Sequence, residues 1–116
     1  MIRVDIRPRA RNGRRGARAR SCPSHLQWLR GRPCAVASTE CAGAIVAAHV
    51  DHAGGKGTGL KVEDRHAIPL CDAHHREQHQ HGWRTFERKH RLDGVALAAE
   101  YWRLSPHRRK YEERER

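Results

Sequence analysis

The chain has 116 residues, enough for one small domain and too few for two of ordinary size. Its 24 Lys and Arg against 13 Asp and Glu give a formal charge of +11, which points to a polyanionic partner, nucleic acid before anionic membrane. Only 37% of residues are hydrophobic, and three Trp, two Tyr and one Phe are the aromatics, so a large apolar core is excluded and a staple, disulfide or metal, is expected.

No apolar run approaches the ~20 residues of a membrane helix, so the expectation is a soluble protein with no membrane partner. The N-terminus is Arg-rich and acid-poor like an organelle transit peptide, but its glycines and prolines give no amphipathic helix. Four Cys without a legible signal peptide, accompanied by ten His, point to metal rather than two disulfides and to a cytoplasmic location.

In chain order, residues 1–23 read as a flexible basic arm. Positions 1–20 hold eight Arg and one Asp, interrupted by Pro8, Gly13 and Gly16, and Arg14 and Arg15 are candidate phosphate contacts. A short helix is predicted over 24–30, with Leu26 and Leu29 on one side and Gly31 and Pro33 as stops. Between Cys34 and Val50, three β-type stretches and a turn predict a two-stranded hairpin. Residues 51–66, with four glycines from Gly54 to Gly59, read as a loop. Ala67 to Leu70 suits a short extended segment, and Asp72 suits the N-cap of a helix running to His81 and ended by Gly82. Trp83, Phe86 and His90, then Val95, Leu97, Tyr101 and Leu104, predict two amphipathic helices broken at Asp93-Gly94. One domain over 24–104 is expected, followed by a charged, frayed tail over 105–116, in which Arg108, Arg109 and Lys110 are further candidate phosphate contacts.

Two constellations carry chemistry. Cys34 and Cys41, six residues between them, are followed by Cys71-x2-His74; zinc takes four S or N ligands at tetrahedral corners, and two such pairs supply them without a large core. The first pair is wider than the usual two to four residues. Cys22 stands apart, as an unligated thiol or a substitute ligand. The second constellation is His49, His52, His75 and His79, in which His75 and His79 share a helical face at the i, i+4 spacing that lets two imidazoles hold one ion. A zinc protease is excluded because His75-Arg76-Glu77-Gln78-His79 puts the acid two residues after the first His instead of one. A P-loop is excluded because Gly55-Lys56 runs into Gly57 and lacks the upstream Gly.

In order, Ala48-His49-Val50-Asp51-His52, a Gly-rich loop, Asp64, and then Ile68-Pro69-Leu70-Cys71-Asp72-Ala73-His74-His75 through His79 resembles the HNH (ββα-metal) endonuclease superfamily. More narrowly, it is similar to small phage and prophage HNH proteins related to the recombination-enhancement nuclease. The resemblance implies an α+β, ββα-metal (His-Me finger) core stapled by a structural zinc. It implies a general-base role for His49, an orienting role for Asp64 in the middle position that is often Asn, and a catalytic-ion role for His75, with His79 as a second ligand or phosphate contact. Cys34, Cys41, Cys71 and His74 match the structural zinc positions. Many members carry Asp or His directly before the first motif His; here that residue is Ala48, so the ion would lean on His75, His79 and His52 or Asp51.

The implied activity is metal-dependent hydrolysis of DNA phosphodiester bonds with little sequence preference. Such hydrolysis needs a divalent cation, Mg²⁺ or Mn²⁺, on the scissile phosphate and a base for the attacking water. Lys56, Lys61 and Arg65 around the Gly-rich loop suit phosphate contacts. Two other readings remain open: a zinc-stapled nucleic-acid-binding module without activity, for which Ala48 speaks, and a docking protein for a phage or host recombination partner. A homodimer would suit double-strand cutting, and no dimer surface is legible.

Overall fold

The computed structural model describes residues 21–53 and 63–114, so the arm with Arg14 and Arg15 and the loop with Lys56 and Lys61 lie outside the described residues. Two five-residue runs of small and branched apolar side chains form the sheet, Ile45–His49 (β1) and Ala67–Cys71 (β2). They pair antiparallel, with Ile45 opposite Cys71 and His49 opposite Ala67. Residues opposite one another share a face, so Ala48 meets Ile68 and Val46 meets Leu70. From that face Ala48, Ile68 and Leu70 join Val36, Val50, Trp83, Phe86 and Ala98 in the main core.

The expected hairpin within Cys34–Val50 is corrected: the strands are 45–49 and 67–71, and the glycine-bearing segment connects them. The apolar run with which β1 can bury a shared face lies beyond that segment, while residues 37–43 are small, polar and exposed. Cys34-Ala35 contributes one rung on the other edge of β2, where the Ala35 N–H donates to the Pro69 carbonyl at 2.8 Å. Both polar groups of a strand residue point to the same side, so the N–H that Pro69 lacks is not one the β1–β2 ladder needs. Two residues on, the Cys71 N–H turns to the same edge and donates to Cys34 Sγ at 3.3 Å.

Helix α1 (Pro23–Arg30) packs against both strands. Helix α2 (Asp72–His81) follows β2 without a linker, and its N-cap is Cys71 rather than the expected Asp72. Asp72 Oδ2 instead accepts the Ala44 N–H at 3.1 Å, and the Ala73 N–H reaches the Ala42 carbonyl at 3.1 Å. The 42–44 loop is thereby laced to the first turn of α2. Gly82 ends α2 at φ +85, and α3 (Trp83–His90) begins at once, closed by Arg91 in the left-handed conformation. Asp93 caps α4 (Gly94–Leu104) by accepting the Ala96 N–H at 3.1 Å, the break expected at Asp93-Gly94. Among the described residues no helix is long and apolar enough to cross a membrane.

The tail is not frayed over its described part. Residues Arg108–Arg114 form α5, and Tyr111 is 2% exposed beside Trp102 and Cys22. Its hydroxyl accepts the Ser24 N–H at 3.0 Å and bonds Ser24 Oγ. A single aromatic with a polar handle therefore docks a helix whose charges stay in solvent. Cys22, buried in that cluster, is thereby placed apart from the other three thiols.

Gly43 has φ +85, and a Cβ built there would lie 2.5 Å from Asp72 Oδ2 and 2.6 Å from its Cβ. Gly31, at φ −92, has no contact closer than 3.4 Å. Gly43→Ala is expected to destabilise by about 1–3 kcal/mol and Gly31→Ala to change little, read from thermal melts; equal melting temperatures for the two variants would contradict this.

His25 is fully buried, its Nδ1 2.9 Å from Ser105 Oγ and its ring edge-on to Trp102. Burial, opposed by Asp64 and assisted by His107, pushes its pKa down from 6.5 to about 4. As pH falls the unfolded chain takes up this proton first, so His25 contributes stability that is present above about pH 6.5 and lost towards about pH 4, up to about 3 kcal/mol. Denaturant titrations should show a shallower loss over that window for His25→Gln than for the wild type; parallel profiles would refute the assignment.

Candidate metal centre

The junction of β2 and α2 brings the first constellation together. Cys71 ends the strand, His74 lies one turn into the helix, Cys34 lies along the β2 edge, and Cys41 arrives by the turn in which its own N–H reaches the Ser38 carbonyl. One ligand atom from each of the four lies within 4.8 Å of all the others. His74 Nδ1 is 3.1 Å from Cys71 Sγ, 3.5 Å from Cys34 Sγ and 3.6 Å from Cys41 Sγ. Tetrahedral zinc, with Zn–S about 2.3 Å and Zn–N about 2.0 Å, separates sulfur from nitrogen by about 3.5 Å. The donor set and its spacing are therefore compatible with a structural zinc ion.

The electrostatics support a cation. At Cys71 burial works against ionisation, but the N–H groups of His74 and Ala42 and the nearby His74 and Cys41 side chains hold the thiol at about 6. A sulfur at a helix N-terminus is stabilised as thiolate. Burial, reinforced by Cys41 and Cys71 against the N–H groups of Cys71 and Val36, pushes Cys34 up to about 11. Ligation must displace the Cys34 proton, so metal affinity should rise with pH. Around the cluster, Ser38 Oγ lies 3.4 Å from His74 Nε2, and the Phe86 and His90 rings stand edge-on to His74.

Because ligand binding energy is folding energy in so small a domain, Cys34→Ser or a strong chelator should lower the melting temperature by ten degrees or more, on the order of 2–5 kcal/mol. Circular dichroism melts with and without chelator check this, and a chelator-insensitive wild type would count against a structural metal.

The second constellation is divided. At the end of β1, His49 Nε2 is 2.9 Å from Asp64 Oδ1, while Asp64 Oδ2 accepts the Cys22 N–H at 2.8 Å. Burial acts to raise the Asp64 pKa, but the His49 ring and the Cys22 N–H outweigh it, and the carboxyl is held below its ordinary value. On α2, His75 Nε2 and His79 Nε2 approach to 3.0 Å above a shallow surface hollow that also involves Arg76 and Gln80. Burial and His79, opposed by Asp72, keep the His75 pKa low, which favours the neutral ligand form. His52 Nε2 sits 3.5 Å from Glu87 Oε2 with its ring near Trp83. Among the described residues no third ligand atom completes a group with His75 and His79.

Arg65 lies over the Trp102 ring at 5.3 Å and faces Glu63 at 3.5 Å. Lys110 donates to Ser24 Oγ at 2.9 Å, and Arg108 faces Glu112 at 3.7 Å. Sequence reasoning missed Glu77, which binds His90 at 3.0 Å and Lys89 at 2.6 Å and falls with His74 and His90 into a second group of neighbouring ligand atoms. The i, i+3 step from His74 to Glu77 was the available signal. It also missed His25, whose burial shows only once α1, α4 and α5 are assembled.

Residues 3–100 match the family described as protein of unknown function, DUF968. The chain belongs to this family. Its description assigns no activity, and no curated protein and no solved structure matches the chain. The match spans the elements β1, β2 and α2 and all four residues of the thiol-imidazole cluster.

Proposed function

We propose that this DUF968 chain is a metal-dependent HNH-type endonuclease that hydrolyses DNA phosphodiester bonds with little sequence preference, built on a ββα-metal core held by zinc at Cys34, Cys41, Cys71 and His74. The observation that carries the reading is the His49–Asp64 pair, 2.9 Å apart at the end of the strand that precedes the metal-bearing β2–α2 junction. With Nε2 held by Asp64, Nδ1 is the nitrogen that takes a proton from water, and the fixed ring keeps it aimed. Asp64, anchored by the Cys22 N–H, stays ionised and stabilises the imidazolium that results. His75 and His79 would hold the hard divalent cation, Mg²⁺ or Mn²⁺, whose charge offsets that of the scissile phosphate. The formal charge of +11 favours a polyanionic substrate.

One observation favours a second reading, a zinc-stapled nucleic-acid-binding module without catalysis: Ala48 offers no ligand and His52 is directed to Glu87, which leaves the His75–His79 pair without a third described ligand. Supercoiled-plasmid nicking separates the two. Zinc-loaded wild type with Mg²⁺ or Mn²⁺ should nick, and His49→Ala should lose at least about 100-fold of that rate while keeping its fold. Nicking by His49→Ala at the wild-type rate would remove the pair from the chemistry, and DNA binding without nicking in either metal would favour the second reading.

A further inference from the structure

Helix α3 reads Trp83-Arg84-Thr85-Phe86-Glu87-Arg88-Lys89-His90, followed by Arg91. Trp83 and Phe86 go into the core, and the opposite side is exposed. At 3.6 residues per turn and 1.5 Å of rise per residue, Arg84 and Arg88 lie about 40° apart and about 6 Å along one side of the helix, and Arg91 follows at its left-handed C-cap. All three are exposed. Arg84 and Arg88 repel one another as like charges at i, i+4, whereas Arg88 and Arg91, in the last turn and at the cap, are favoured by the helix dipole.

The neighbouring acids have other partners. Glu87 accepts the Gly94 N–H at 2.6 Å and faces His52, Glu77 holds Lys89 and His90, and Asp93 caps α4. No ion pair to Arg84, Arg88 or Arg91 forms among the described residues. Elsewhere the exposed Arg103 and the half-buried Arg108 each have a glutamate on their own helix, while the exposed Arg30, Arg76 and Arg109 also form no ion pair among the described residues. Among the described residues this side of α3 is thus basic and without an ion-paired carboxylate.

We propose that the Arg84, Arg88 and Arg91 stripe of α3 is a docking surface for the sugar-phosphate backbone of duplex DNA. Two guanidiniums one turn apart on a helix and a third at its C-cap suit the repeated charge of a phosphate backbone, and guanidinium forks bind phosphate oxygens in pairs. The inference rests on the DNA half of the preceding reading and not on cleavage. It adds a binding face to residues outside both constellations.

The test is fluorescence anisotropy of the full, zinc-loaded chain on a labelled duplex of arbitrary sequence, without Mg²⁺ or Mn²⁺, over a series of salt concentrations. Arg84→Gln/Arg88→Gln/Arg91→Asn removes the stripe, Asn being suited to the left-handed position of Arg91. Arg30→Gln/Arg32→Gln/Arg103→Gln removes the same charge elsewhere. The stripe variant should bind at least about tenfold more weakly, with a log–log salt slope shallower by about 2 to 3. Its melting temperature should stay close to that of the wild type, since the relieved repulsion and the lost helix-dipole interaction are small and of opposite sign, whereas removing residues with a structural role would lower it. Equal losses in both variants, or wild-type binding by the stripe variant, would overturn the proposal. So would a loss confined to duplex RNA or to polyglutamate run in parallel. Because nicking plays no part in the readout, an inactive protein that still binds through α3 would refute the nuclease and leave the surface standing.

Discussion

A chain with so few apolar residues closes around the point where Cys34, Cys41, Cys71 and His74 meet. Two of the four lie at the β2–α2 junction, one lies along the outer edge of β2, and one arrives from the following turn. Drawing them to within 4.8 Å fixes the Cys34-Ala35 rung on β2, the course of the 34–44 segment, and the direction in which α2 leaves the sheet. A small domain with a limited core depends on such a fixed point more than on burial.

The rest of the architecture follows from that direction. With the start of α2 held, Gly82 turns α3 back so that Trp83 and Phe86 cover the Ala48, Ile68 and Leu70 face, and Phe86 also closes over His74. The same helix presents different chemistry on different sides: His74 to the thiols, Glu77 to Lys89 and His90 of α3, and His75 and His79 to solvent. At the far end of the sheet, α1 and the terminal helix bury Cys22, His25 and Tyr111, and the Cys22 N–H anchors the carboxylate that faces His49. The packing that holds the two ends of the described chain therefore also sets the geometry of the candidate base.

Much of this was legible in the sequence where the signal was local. Leu26 and Leu29 marked α1, Gly82 marked the end of α2, and Asp93-Gly94 marked the break before α4, because caps and breakers act through their immediate neighbours. The ligand group was legible too, since Cys and His in a polar chain have few other uses. What failed was non-local. The β-type residues from Cys34 to Cys41 point to an upstream partner for β1, whereas pairing is decided by which run can bury a shared face. The docking of Tyr111 onto Ser24 spans 87 positions and leaves no periodic trace in a segment of charges. A carboxylate is the commoner cap and favours Asp72 in the sequence, while the thiol one position earlier faces the helix N–H groups and the cluster together.

Whether three sulfurs and one nitrogen share a single ion is read directly by X-ray absorption spectroscopy of the metal-loaded chain. The expected result is one zinc per chain with three sulfur neighbours at about 2.3 Å and one nitrogen at about 2.0 Å. A first shell made only of nitrogen and oxygen, or a folded chain that takes up no zinc, would contradict it.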